Sequence, residues 1–129
     1  MTTTQPRASV DVAERSVTRT VRVAAGPDVV WRAISEPEHV AGWFAFEVTR
    51  SEAGRVLAYR WGQSADEPER MTEATFTLEP DGAGTNLTVH ETGFTGDTDD
   101  AVRAALDGNR EGWDVELDEL VEYVESRSW

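Results

Sequence analysis

The last part of the chain constrains the fold more than any other segment. Residues 101–126 carry apolar side chains spaced by threes and fours, which predicts one amphipathic α-helix about 40 Å long. The apolar stripe of this helix consists of Val102, Leu106, Trp113, Leu117, Leu120 and Val124. Its last turns are acidic, which is unfavourable at a helix C-terminus. We therefore expect packing against the rest of the chain to hold the helix in place.

The chain before this helix alternates in the way that β-strands do. Val17, Val21 and Val23 share one phase and Thr or Arg side chains the other, which predicts a half-buried strand at residues 16–24. Four more strands are predicted, at residues 43–50, 55–61, 71–79 and 85–92. The last two are joined by PDGAG at residues 80–84, a strong turn sequence. Hairpin connections therefore explain the later strands.

Two short helices are predicted between the first and second strands. Pro27 suits the first helical position, and Val30 and Ile34 follow at helical spacing, so the first helix ends near residue 34. Residues 35–38 form a capping box for the second helix, and Gly42 ends it. Residues 1–14 have no sustained periodicity. We therefore expect a flexible N-terminal tail at residues 1–14, followed by a single domain at residues 15–129.

Composition excludes several classes of function. The 129 residues suit one domain, and a formal charge of −13 would repel nucleic acid and anionic lipid surfaces. The absence of cysteine excludes disulfides, thiolate metal sites and a cysteine nucleophile. The N-terminus lacks the apolar region of a signal peptide, and nowhere do 18 apolar residues run together. We therefore expect a cytoplasmic protein without membrane insertion or nucleic-acid binding.

A series of local motifs occurs in a recognisable order. They are VVWRAI at residues 29–34, EPE at 36–38, GWF at 42–44, LAYRW at 57–61, ETGF at 91–94, and GWD at 112–114 followed by Leu117 and Leu120. Together they resemble the START-related (SRPBCC) superfamily, and in particular its heat-shock-protein ATPase-activator-like branch. The resemblance extends from residue 16 to residue 124, which is nearly the whole predicted domain.

The resemblance implies an α+β helix-grip fold. In that fold a curved antiparallel sheet wraps around a long C-terminal helix, and two short helices follow the first strand. Between residues 43 and 47 this chain is shorter than the usual pattern, which leaves the size of any cavity open. The superfamily includes small-molecule binders, lipid carriers, polyketide cyclases, sequestering resistance proteins and chaperone stimulators. The fold alone therefore does not select a function.

The predicted inner face of the sheet is rich in aromatic and apolar side chains that point at the last helix. Such a face forms either a solid core or an aromatic-lined pocket, and the sequence allows both. The residues that would line the pocket are Phe44, Phe46, Tyr59, Trp61, Phe76, Leu78, Val89, Glu91, Asn109, Trp113 and Leu117. Its few polar groups would come from Tyr59, Glu91 and Asn109.

Glu91 is the most unusual residue of this set. It is in phase with Leu87 and Val89, so alternation turns it inward, at a place where the resembled branch commonly has histidine. The alternative is a carboxylate exposed at the rim, because ionised groups are rarely buried unpaired. Arg19 is also in an inward phase, and in the resembled fold the first and last strands are neighbours. We therefore predict a cross-strand ion pair between Arg19 and Glu91.

The sequence predicts no catalytic residue, metal site or cofactor. His39 and His90 are isolated from any evident second ligand, and His90 falls in the polar phase of its strand. The adjacent acids at residues 99–100 and 118–119 do not face each other on a helix, so a capping segment and a solvated face explain them better. The serines have no nucleophile motif around them.

Three hypotheses about function follow. The first is a non-catalytic START-like domain that binds a small apolar or aromatic molecule between the sheet and the C-terminal helix. The second is an enzyme of the polyketide cyclase or aromatase type, with Tyr59, Glu91 or His90 transferring protons. The third is a chaperone-associated stress-response module that binds a protein. We prefer the first, because the interior is aromatic and no catalytic constellation is evident.

Overall fold

The fold is one antiparallel sheet packed against a long C-terminal helix. The computed structural model describes residues 6–35, 45–61, 72–96 and 98–128, with the backbone alone for residues 45–47 and 61. The elements in chain order are β1 (Ser9–Asp11), β2 (Ser16–Val23), α1 (Pro27–Ser35), β3 (Ala45–Glu52), β4 (Val56–Trp61), β5 (Thr72–Asp81), β6 (Gly84–Thr92) and α2 (Asp99–Glu125). The strand order in the sheet is β1-β2-β6-β5-β4-β3. This arrangement confirms the helix-grip prediction.

The five predicted strands, the first short helix and the long helix are all present, with small shifts at their ends. Helix α2 begins two residues earlier than expected, because Thr98 is its N-cap and accepts a hydrogen bond from the Ala101 N–H at 3.1 Å. Asp99 and Asp100 then lie in the first turn, where negative charge is favourable. The second short helix, predicted from the capping box at residues 35–38, lies almost wholly outside the described residues.

The segment before β2 differs from the prediction of a flexible tail. Residues 9–11 form β1 and pair with β2 in the register Val10 to Val17. Ala8 is buried, and its N–H donates to the Asp114 carboxylate of α2 at 2.7 Å. A three-residue strand is too short to show a period, and the contact that holds it joins residues far apart in sequence. The sequence pattern therefore gave no sign of this strand or of its contact with α2.

The core lies between the inner face of the sheet and the two helices. Helix α2 packs mainly along β2, whereas α1 packs against β5, β6 and α2. As alternation predicted, Leu57 and Tyr59 of β4 and Ala74, Phe76 and Leu78 of β5 belong to the core cluster, whereas the side chain of Trp61 lies outside the described residues. Because α2 packs mainly along β2, the inner face near β4 lies away from the main contact between the sheet and α2.

Candidate functional site

A row of three side chains crosses the middle of the sheet on its inner face. Tyr59 of β4 is the register partner of Ala74 in β5, and Ala74 is the register partner of Glu91 in β6. Neighbouring strands lie about 4.8 Å apart, so the Tyr59 and Glu91 backbones are separated by about 10 Å. The row thus places a phenol and a carboxylate on either side of the small side chain of Ala74.

The Glu91 carboxylate points inward and is fixed by two hydrogen bonds. The residue is only 1% exposed. Its Oε1 accepts from the indole Nε1–H of Trp113 at 2.8 Å, and its Oε2 accepts from the Thr72 hydroxyl at 2.5 Å. Alternation predicted this orientation correctly, and the alternative of an exposed rim carboxylate was wrong. Burial is tolerated because donors from α2 and β5 replace water around the carboxylate.

Aromatic rings adjoin this carboxylate. The Tyr59 and Phe76 ring centroids lie 5.8 Å apart in a tilted arrangement. Phe76 and Trp113 meet edge to face with centroids 5.7 Å apart. These are favourable geometries for aromatic pairs. The structure therefore brings four of the predicted lining residues into one continuous cluster, which we call the aromatic–carboxylate cluster: Tyr59, Phe76, Glu91 and Trp113.

The electrostatics of the cluster affect the Tyr59 phenol. Burial raises its pKa far above the ordinary value, and the nearby carboxylates of Glu91 and Glu116 raise it further. The phenol therefore keeps its proton at neutral pH. Glu116 lies on α2, and partial burial together with Glu119 raises the pKa of its own carboxyl group. Negative charge thus approaches Tyr59 from both the sheet and the helix.

The other predicted lining residues are placed less uniformly. Leu78, Val89 and Leu117 are buried in the core. Asn109 is half-buried, and its side-chain amide donates to the Ala105 carbonyl of its own helix at 3.0 Å, so it is not bonded to Tyr59 or Glu91. Phe44 lies outside the described residues, and so do the side chains of Phe46 and Trp61.

The two histidines do not contribute to the cluster as far as the structure describes them. His90 lies on the outer face of the sheet, as its phase predicted. Its Nδ1 lies 2.7 Å from the Thr18 hydroxyl, and its Nε2 lies 3.0 Å from the Glu14 carboxylate. His39 is outside the described residues. Within the described ranges, no three acidic or histidine side chains are grouped so as to hold a metal ion.

The predicted ion pair between Arg19 and Glu91 does not form. The register pairs Arg19 with Val89, whereas Glu91 is opposite Val17. The two side chains are therefore offset by two residues along neighbouring strands. Arg19 turns toward α2 instead, and its Nη2 donates to the Asp118 carboxylate at 2.6 Å. The prediction of this pair was wrong because the strand register could not be read from one sequence.

Arg19 belongs to a buried cluster that the sequence analysis missed. Its side chain has no exposed surface and also donates to the backbone carbonyls of Pro6, Trp113 and Asp114. The Asp118 carboxylate is bound by Arg7 as well, at 2.8 Å. The sequence contained a signal for this cluster. Arg19 lies in the apolar phase of its strand, and Asp114 and Asp118 lie one helical turn apart on α2. Asp118 remains 45% exposed, as the prediction of a solvated helix face requires, while its carboxylate binds both arginines.

The match to a protein family comes from a large part of the chain. Residues 44–125 match the family model described as Activator of Hsp90 ATPase homolog 1-like protein. The chain belongs to this family. The matched range contains the whole aromatic–carboxylate cluster, and it confirms the resemblance drawn from the motifs. A search of curated proteins found no match.

Solved structures with the same fold accompany this family match. A protein from Arthrobacter aurescens has a TM-score of 0.74 and 17% identity, over 97% of this chain and 94% of that one. CalU16 from Micromonospora echinospora has a TM-score of 0.69 and 21% identity, over 88% and 76%. The Aha1 dimer from Colwellia psychrerythraea has a TM-score of 0.69 and 17% identity, over 85% and 96%. At these identities the similarity establishes the fold alone.

Among the described residues, no helix combines the length and the hydropathy that a transmembrane span requires.

Proposed function

We propose that this chain is a START-like domain that binds a small apolar or aromatic molecule between the sheet and α2 without transforming it. The observation that carries the proposal is the row in which Ala74 lies between Tyr59 and Glu91. Because the Ala74 side chain is small, it does not fill the space above its Cβ. In this proposal a ligand between the sheet and α2 occupies that space. An apolar site with a few fixed polar groups is the usual form of a small-molecule site.

Binding is better supported than catalysis. The raised pKa of Tyr59 makes its phenol a poor proton donor and leaves no phenolate at neutral pH. His90, the second group considered for proton transfer, is bonded to Glu14 and Thr18 on the outer face. A cyclase-like reaction would therefore depend on Glu91. Polyketide turnover that disappears in Glu91→Gln would place the enzyme hypothesis first.

The binding proposal is tested with a neutral fluorescent probe, N-phenyl-1-naphthylamine, whose emission rises in apolar surroundings. We expect the wild-type protein to bind it. Ala74→Leu fills the centre of the row and should weaken binding about 10-fold or more. Thr75→Leu is the matched control, because the same side chain enters the next position on the outer face of β5, and it should bind like the wild type.

Three results would contradict this proposal. If the wild type, Ala74→Leu and Thr75→Leu bind the probe equally, the probe binds at a site other than the one above Ala74. An Ala74→Leu variant that no longer unfolds cooperatively in urea would indicate that the space above Ala74 is already filled by protein. Failure of the wild type to bind the probe, or any compound in a broad screen of apolar and aromatic molecules, would refute the function itself.

Other features of the protein follow the same proposal. We infer a single cytoplasmic domain, which the cysteine-free composition and single core support. The charge of −13 weighs against nucleic acid and anionic membranes as partners. Binding to a chaperone is the alternative that the family description favours. A stable complex with a chaperone in a pull-down, formed without any small ligand, would place that alternative first.

A further inference from the structure

We propose that Thr18 is a reactive hydroxyl that accepts an acyl group from small activated esters, with His90 as its general base. The site lies on the outer face of the sheet, away from the aromatic–carboxylate cluster, so the inference goes beyond the proposed binding function. It is carried by two hydrogen bonds that join Thr18, His90 and Glu14 in series. A hydroxyl within hydrogen-bond reach of a base, where a third group orients the base, is the arrangement of an activated nucleophile.

The hydrogen bonds determine which ring nitrogen of His90 faces Thr18. The Glu14 side chain is 56% exposed, and an exposed carboxylate is ionised at neutral pH. Such a carboxylate only accepts hydrogen bonds, so the Nε2 atom of His90, 3.0 Å away, carries the proton and donates it. In the neutral imidazole Nδ1 is then the acceptor, and the Thr18 hydroxyl donates to it at 2.7 Å. The unprotonated nitrogen therefore faces the proton that the hydroxyl has to release during an attack.

Backbone structure fixes the positions of the three side chains. Thr18 and His90 are register partners in β2 and β6, so their side chains lie on the same face of the sheet. Glu14 belongs to the turn between β1 and β2, where its N–H donates to the Asp11 carboxylate at 3.0 Å. Arg15 then adopts a left-handed conformation, with φ of 58°, and the chain enters β2. The order of hydroxyl, imidazole and carboxylate is therefore built by the β1–β2 hairpin and its pairing with β6.

A small reagent can reach this site from solution. Thr18 is half-buried, and the His90 side chain is 38% exposed. The next side chains on this face along the two strands are the hydroxyls of Thr20, Thr88 and Thr92. They are small and uncharged. An ester approaching Thr18 therefore meets neither a bulky side chain nor a charge from these neighbours.

The reaction is an acyl transfer. The Thr18 Oγ1 atom attacks the carbonyl carbon of the ester, and its proton passes to Nδ1 of His90. The bond between that carbon and the leaving oxygen breaks, and the imidazolium returns the proton to the departing oxygen. The products are an ester of Thr18 and the free alcohol, so atoms and charge balance.

The position of Thr18 within the sheet selects the class of acyl donor. β1 and β6 flank β2 at Thr18, so backbone N–H groups at this point of the sheet are used in strand pairing. They are therefore not aimed at an oxyanion, which is the usual way of stabilising the transition state of acyl transfer. The site suits aryl esters, whose leaving group departs easily, and it does not suit amides.

The test uses p-nitrophenyl acetate and the whole chain at pH 7. Release of p-nitrophenol gives the rate, and peptide mapping by mass spectrometry locates the acetyl group. We expect acetylation of Thr18. Thr20 is the internal comparison, because it lies two residues further along the same strand and its hydroxyl is 2.8 Å from the Thr88 hydroxyl instead of a histidine. It should react at least about 10-fold more slowly.

Variants assign the two roles in the transfer. Thr18→Ser should keep the reaction, whereas Thr18→Val should remove acetylation at this position. His90→Gln should slow the acetylation of Thr18 about 100-fold, which is the lower end of the effect of a general base. Thr20→Val is the matched control for Thr18→Val and should react like the wild type.

Glu14 is a positioning residue, and its role has a spectroscopic test. Nitrogen NMR of His90 should show the form protonated at Nε2 in the wild type. In Glu14→Gln it should show a mixture of the two neutral forms, because an amide both donates and accepts hydrogen bonds. If both proteins show the same form, the role of Glu14 is wrong.

Three results would overturn the acyl transfer to Thr18. The first is acetylation of Thr20 as fast as that of Thr18, and the second is acetylation of Thr18 at the wild-type rate in His90→Gln. The third is ester cleavage that survives Thr18→Val with the acetyl group on His90, because the imidazole would then be the nucleophile. Should Thr18→Val not fold, the comparison of Thr18 with Thr20 in the wild type decides. The binding of a molecule between the sheet and α2 is tested separately and does not depend on these results.

Discussion

Replacing Arg19 by methionine tests whether the buried cluster fastens β2 and the N-terminal segment to α2. Methionine keeps most of the side-chain volume and removes the guanidinium. In the wild type that group is fully buried and donates to Pro6, Asp114 and Asp118. Its removal would leave these carbonyl and carboxylate acceptors without their hydrogen-bond donor. Because the site is buried, water cannot fully take the place of that donor.

The magnitude follows from how well each abandoned acceptor can be rehydrated. Breaking a buried ion pair by removing one partner costs about 3–5 kcal/mol. The Asp118 side chain is 45% exposed, and Asp114 keeps its bond from the Ala8 N–H. We therefore expect the lower end of that range, a loss of about 3 kcal/mol in the free energy of unfolding. For a domain of this size it corresponds to a fall of about 10 °C in Tm.

The measurement is urea unfolding at pH 7, followed by circular dichroism. Arg22→Met is the matched control, because it makes the same substitution on the outer face of β2. Arg22 and its partner Asp81 are about half exposed, so this change should cost less than about 1 kcal/mol. If the two variants lose the same stability, or if Arg19→Met loses less than about 1 kcal/mol, the argument for a fastening role is wrong.

Further predictions concern the effect of pH on the Asp118 contribution and the stability of two glycine variants. Partial burial acts to raise the pKa of Asp118, but Arg19 and Arg7 outweigh it and hold this pKa below its ordinary value. Its stabilising contribution is present above about pH 4 and lost as pH falls through the lowered pKa, so Asp118→Asn should destabilise more at pH 7 than at pH 2.5 in urea titrations. Gly112→Ala should raise the unfolding free energy by about 0.5–1 kcal/mol, because this helical position is open. Gly82→Ala should lower it by about 1 kcal/mol, because φ is +60° there.

The elements with a clear period could be predicted from the sequence because their periods are local properties. Alternation over residues 16–24 and 85–92 identified β2 and β6, and the stripe of apolar side chains identified α2. β1 escaped prediction, because three residues carry no period and their position depends on Asp114 of the distant helix. Prediction from periodicity was therefore most accurate for the longest strands and helices.

The site was predicted only in part for a similar reason. Alternation indicated that Tyr59, Phe76 and Glu91 face inward, and the motif resemblance pointed to Trp113. The alternative of an exposed Glu91 followed from the cost of burying a charge, and it was wrong because the Trp113 indole and the Thr72 hydroxyl meet that cost. These donors come from other elements. A sequence pattern does not show which side chains will arrive there.

The sequence by itself determined the faces of the strands and the helix, because the phase of a side chain depends only on its neighbours along the chain. The helix-grip fold was predicted from the family resemblance of the motifs. The register between strands and the partners of the buried charges depend on residues far away. Only the tertiary structure could decide that Arg19 binds Asp118 of α2, that Glu91 is held by Trp113, and that residues 9–11 join the sheet.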